Sequence, residues 1–176
     1  MNKILWLTRT AVLIALLVAL QWATSGLGQF VTGSCVNCVL VIAALFAGLW
    51  GGVAVALVSP VCAFLLGIGP KLVQIVPAIA LGNLVLVLVI YFVLGRKESQ
   101  KLWLAVLTAI GAAVAKFAVL YCGVVKVLIP LMGSGLAPKQ VQTFTAMFSW
   151  PQLVTALIGS AVALALTPLL KKAVKR

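Results

Sequence analysis

Of the 176 residues, a single one is acidic, Glu98, and none is histidine. General acid and base catalysis therefore has almost nothing to work with. Glu98 lies in the basic stretch Gly95-Arg96-Lys97-Glu98-Ser99, so no carboxylate falls within an apolar run. The usual Asp or Glu site for proton or sodium coupling is missing. Without histidine, a zinc site would need Cys35, Cys38, Cys62 and Cys122 to converge from three helices, which is a poor prospect. The segment Gly133-Ser134-Gly135-Leu136-Ala137-Pro138-Lys139 lacks the spacing and the following Ser or Thr of a nucleotide-binding P-loop. No cofactor is expected, and any energised process must draw on a partner.

What the chain has in abundance is apolar sequence: 65% of it is hydrophobic and 8% charged, in runs near the length of about 20 residues that crosses a hydrocarbon core. The expected fold is an all-α integral membrane protein, one domain over residues 1–176 built as a six-helix transmembrane bundle. The hydrophobic pattern predicts helices over 8–25, 35–49, 51–68, 74–94, 102–129 and 150–170. Trp50, Gly51 and Gly52 are the only punctuation between the second and third runs. Pro60 falls inside the third helix, which membrane helices tolerate when neighbours satisfy the freed carbonyl.

A net charge of +12 invites a nucleic-acid reading, but phosphate tracking needs Lys, Arg and aromatics interleaved on polar elements. Here the charges gather at the membrane edge. With six spans and both termini cytoplasmic, Lys3, Arg9, Arg96, Lys97, Lys101, Lys171, Lys172, Lys175 and Arg176 are inside, and Lys71 and Lys139 outside. Lys3, the apolar run and Ala23-Thr24-Ser25 also resemble loosely a cleaved signal peptide. Cleavage would leave five spans, and the cytoplasmic clusters near Arg96 and Lys171 would then put the new amino terminus outside.

Ala11, Ala15, Ala19 and Ala23 recur every fourth residue in the first span and so share one helix face. In lipid, small-xxx-small faces are where helices meet partners.

Few side chains carry chemistry. Cys35-Val36-Asn37-Cys38 is a CxxC at the outer mouth of the second helix, where a quinone-linked thiol oxidase would hold a redox pair. Such an enzyme needs a second exposed pair, whereas Cys62 and Cys122 lie in separate apolar helices, so small-residue packing is the preferred reading. Lys116 lies mid-depth in the fifth helix with no acid to pair with, at a cost of about 2.5 to 3.5 kcal/mol on insertion scales. It either snorkels or faces a wet cavity, and it suggests an anionic or strongly hydrogen-bonding ligand. Lys126 is nearer the outer end, where snorkelling is easy. Gln74, Asn83, Tyr121 and Gln152, the last just after Trp150 and Pro151, gather in the outer half beneath Gln21, Trp22 and an outer loop over 25–33. Asn83 and Gln152 must bridge helices or meet a polar ligand. Tryptophans such as Trp150 also serve as interface anchors. The turn Gly67-Ile68-Gly69-Pro70-Lys71 is either a lid or a tight connection, and Gly33 and Gly135 are candidate hinges or simple turn residues.

These residues together resemble a known family, the substrate-binding S components of energy-coupling factor (ECF) vitamin transporters, in the riboflavin-type branch. The resemblance runs along the whole chain and rests on Ala11-x-x-x-Ala15-x-x-x-Ala19, on the outer loop ending Thr32-Gly33-Ser34-Cys35-Val36-Asn37, and on Pro151-Gln152-Leu153-Val154. The last is similar to the Pro-Phe-Asn-Leu opening of riboflavin-type members, with Gln152 where those often carry Asn. The resemblance implies a subunit of an ABC importer in the bacterial plasma membrane, not an enzyme. It would capture a micronutrient under the loops around 26–33 and 67–73 and dock by the alanine face onto a transmembrane scaffold (T) subunit attached to two ATPases. Toppling of the bundle in the lipid bilayer would deliver the ligand inward. Asn37, Gln74, Asn83, Lys116, Tyr121, Lys126, Trp150 and Gln152 are the candidate substrate contacts. No acidic pair for a thiamine-like cation and no intramembrane arginine for a biotin or folate carboxylate is evident. Riboflavin-like, pantothenate, queuosine-like and cobalamin-like ligands all remain open. The alternatives are a CxxC thiol oxidoreductase and a self-contained small carrier.

Overall fold

The computed structural model describes residues 3–95, 101–132 and 135–174. Helix α1 spans Lys3–Thr24, α2 Gln29–Phe46, α3 Gly48–Leu65 and α4 Val76–Ile90, which runs on through a π-turn at Tyr91–Gly95. Helix α5, Leu102–Leu120, continues through a wide π-helical stretch at Tyr121–Leu128 into a last turn at Ile129–Met132. A short α6, Pro138–Met147, then leads into α7, Trp150–Val174. Among the described residues there is no strand, and six helical segments are long and apolar enough to cross a membrane. The expected all-α, six-span architecture is therefore the observed one. The basic residues Arg96, Lys97, Lys175 and Arg176 lie outside the described residues.

Helix α2 is central, packing against α1, α3, α4 and α7, while α5 closes the bundle against α4 and α7. The main core is small and aliphatic, with Leu17, Leu40, Ala44, Val55, Leu86, Ala112 and Ala156 all fully buried. Such residues suit a bundle in lipid, where close backbone approach rather than a hydrophobic driving force holds helices together. A second cluster of Ile75, Leu120, Val124, Phe144 and Phe148 ties the start of α4 to the end of α5 and to α6.

Three expectations need correction. First, the long loop after α1 is almost absent: Ser25–Leu27 form one 3-10 turn, and Gly28, at a φ of 86°, reverses the chain directly into α2. Within this first stretch of α2, Gln29, Thr32 and Gly33 line a cavity rather than lipid, and these polar or small residues hide the helix from a hydrophobic pattern. Gly33, a hinge candidate, sits inside α2 against the side chain of Thr155. Second, the break between α2 and α3 is at Gly48, whose φ is 74°. Gly51 and Gly52 lie within α3 instead, and a Cβ on Gly52 would come within 2.7 Å of Val87 Cγ1. Third, α6 occupies what reads as a connection. Its Lys139, Gln140, Gln142 and Thr143 give it the composition of a loop. Even so, Pro138 opens the first turn, Gln140 Oε1 accepts from the Ala137 N–H at 3.0 Å, and Phe144 is buried on the inner face.

Helix α1 is peripheral, with contacts to α2 and α3. Thr10, Leu17 and Gln21 form its buried face, and Arg9 Nη1 donates to the Phe46 carbonyl at the end of α2, 3.2 Å away. Ala11, Ala15, Ala19 and Ala23 are all exposed. The stripe therefore faces outward from the bundle and takes no part in its own packing.

Candidate ligand-binding site

The connections α1–α2, α3–α4 and α5–α7 lie at one end of the bundle, and a cavity of about 470 Å³ opens there. That volume falls in the range of small-molecule sites, about 300–1,000 Å³. Its walls come from the ends of α1, α3 and α6, the beginnings of α2, α4 and α7, and α5 at Lys116 and Leu120.

The polar floor is built by four-residue spacing on three helices. On α5, Thr108, Ala112, Lys116 and Leu120 follow one another along the buried face, which carries Lys116 inward, with 3% of its surface exposed. Its Nζ donates to Asn37 Oδ1 of α2 at 2.6 Å and to Asn83 Oδ1 of α4 at 2.7 Å. Asn37 Nδ2 donates in turn to the Gly33 carbonyl at 2.8 Å and to Thr155 Oγ1 of α7 at 3.4 Å. The Asn37 amide is thereby oriented, with its oxygen toward the ammonium. Two glycines allow this convergence. A Cβ on Gly159 of α7 would stand 2.5 Å from the Ser34 carbonyl and 2.6 Å from Asn37 Cβ, and one on Gly82 of α4 would stand 2.7 Å from Leu120 Cγ. Only hydrogen at those positions lets α2 meet α7, and α4 meet α5, at the level of the lysine.

Nearer the mouth, Gln29 Nε2 of α2 and Gln152 Nε2 of α7 both donate to the Met147 carbonyl, at 2.6 and 3.1 Å. This shared acceptor ties the end of α6 to both helices. Gln21 of α1 also lines the cavity. It is 8% exposed, and its buried Oε1 has no hydrogen-bond partner among the described residues. The residues of the Gly67 turn form part of the wall as well.

Of the eight candidate contacts, Asn37, Asn83, Lys116 and Gln152 come together around this cavity. Tyr121, Lys126, Trp150 and Gln74 do not line it. Lys126 is exposed, with its Nζ 5.6 Å from the Tyr121 ring centroid, and Trp150, also exposed, packs its ring on Phe30 at 5.5 Å. Gln74 is exposed in the 3-10 turn before α4. Cys35 and Cys38 are free thiols on α2, and neither lines the cavity. Sequence reasoning missed Thr155 and Gly159. Their spacing from Gln152, three and seven residues on along α7, marks them as one face with it.

Residues 6–171 match the family described as the substrate-specific component of the ECF transporter. The chain matches no curated protein and no solved structure. A match that runs almost from end to end, on a six-span helical bundle, shows that the chain belongs to the substrate-specific components of ECF transporters, which are substrate-binding transport subunits and not enzymes, the ATPase activity lying in partner subunits.

Proposed function

We propose that this chain captures a vitamin or related water-soluble micronutrient at the outer face of a bacterial plasma membrane and hands it inward by docking on a scaffold subunit joined to two ATPases. The observation that carries this reading is the polar floor of Lys116, Asn37 and Asn83 beneath a cavity at one end of an otherwise apolar bundle. Lys3, Arg9, Lys101, Lys171 and Lys172 belong to the opposite ends of α1, α5 and α7, whereas Lys71 and Lys139 belong to the cavity end. The rule that basic residues stay inside then puts both termini in the cytoplasm and the cavity mouth outside. Asn37, Asn83, Lys116 and Gln152 are the proposed contacts. The exposed stripe from Ala11 to Ala23 is the proposed docking face, smooth enough for another helix to approach closely. With no carboxylate in any span, the chain has no coupling group of its own, which agrees with energy arriving through the partner.

Reconstitution tests the reading. Liposomes holding the chain together with its scaffold and two ATPases should accumulate a micronutrient only when ATP is supplied. Accumulation by the chain alone would indicate a self-contained carrier and overturn the proposal.

A further inference from the structure

Lys116 has more to satisfy than its neighbours supply. An ammonium carries three donors and one positive charge. Asn37 Oδ1 and Asn83 Oδ1 take two of the donors, but both are neutral amide oxygens. They orient the group and leave its charge without a counterion. The chain's single carboxylate side chain, Glu98, lies in sequence between α4 and α5, away from every span, so no internal rearrangement can provide one. A buried charge is costly unless it is both hydrogen-bonded and paired with an opposite charge. On the α1 wall of the same cavity, Gln21 Oε1 is buried and accepts no hydrogen bond from the described residues. An unmet acceptor on a cavity wall is open to a donor on whatever fills the cavity.

We infer that the ligand carries one anionic group, a carboxylate or a phosphate, which seats against Lys116 between Asn37 and Asn83, and a hydrogen-bond donor that reaches Gln21 Oε1. This inference rests on the cavity being the capture site. It makes the ligand itself the counterion that the bundle lacks. It also gives α1 two faces with separate duties: Gln21 inward on the ligand, and the alanine stripe outward.

The test uses the purified full chain in nanodiscs, exposed to a mixture of pantothenate, biotin, nicotinate, folate, riboflavin 5′-phosphate, riboflavin, thiamine and pyridoxine and to an extract of growth medium. Retained compounds are identified by mass spectrometry. The expected result is retention of an anionic compound, the carboxylate or phosphate members separating the two chemistries. Converting that anion to an amide or alcohol, as in panthenol for pantothenate, should weaken binding at least about thirtyfold, as expected for loss of a buried ion pair. Lys116→Met should do the same, Lys116→Arg should keep the preference for the acid, and Gln21→Leu should lower affinity about five- to tenfold without changing that preference. If Lys116→Met does not give monodisperse protein, the acid-against-neutral comparison on the unaltered chain and the Lys116→Arg variant decide the matter. Retention of a neutral or cationic compound, or unchanged binding by folded Lys116→Met, overturns the inference and leaves the capture reading intact. Retention of nothing overturns the capture reading and the inference with it.

Discussion

Lys116 and Asn37 stand 79 positions apart in the chain, yet the lysine Nζ donates to the asparagine Oδ1 at 2.6 Å. The lysine is costly in an apolar helix, and the asparagine reads in the sequence only as an amide beside a cysteine. With Asn83 they make the floor of a cavity in which an ammonium has two of its three donors bonded and no counterion.

That relationship predicts the behaviour of Asn37→Asp. A carboxylate in place of the amide would neutralise the lysine from within and compete with an anionic ligand. Ligand affinity, measured by isothermal titration, should fall at least about tenfold. Unchanged affinity would mean that the ligand does not use the charge.

Gly159→Ala should be destabilising beyond what one methyl group suggests. The new Cβ would stand 2.5 Å from the Ser34 carbonyl and 2.8 Å from the Cys38 amide nitrogen, both backbone atoms of α2. Separating α7 from α2 should cost about 1–3 kcal/mol. It should also shift Asn37 away from Lys116, so thermal melts and ligand titrations should both register the change.

Ala15→Trp addresses the outward stripe. Ala15 is exposed on α1, away from the cavity, so the indole should leave ligand affinity within about twofold and abolish co-purification with the scaffold and ATPase subunits. Loss of ligand affinity with assembly intact would assign the stripe to the wrong role.

The double substitution of Cys35 and Cys38 by serine should leave both ligand binding and ATP-driven uptake at the level of the unaltered chain. Both thiols are free and neither reaches the cavity. A transport assay in reducing and oxidising buffer measures this directly.

The apolar runs made the six spans legible, because length and hydropathy alone decide whether a helix can cross a bilayer. The alanine stripe was legible for the same reason: a four-residue repeat maps onto one face of any helix. What escaped was the polar helical structure at the cavity end. The first turn of α2 and the whole of α6 carry glutamine, threonine and serine, which read as loop because hydrophobic periodicity reports burial against lipid or core, whereas Gln29 and Thr32 line the cavity and Lys139, Gln140, Gln142 and Thr143 are exposed. The break at Gly48 also escaped, since Gly48, Gly51 and Gly52 are equivalent as letters, and only one of them has a positive φ.

Among the candidate contacts, the sequence identified lysine and amide side chains as expensive in an apolar helix and therefore in need of partners. It could not say which of them would meet. Asn37, Asn83, Lys116 and Gln152 share a cavity while Tyr121, Lys126, Trp150 and Gln74 lie off its wall, a division set by the rotation of each helix and by the close approaches at Gly82 and Gly159. The sequence by itself determined the membrane bundle, the missing coupling acid and the unpaired lysine, because these follow from composition and local periodicity. Only the tertiary structure decided which amides receive that lysine and that Gln21 is left waiting, because those facts depend on contacts between helices far apart in the chain.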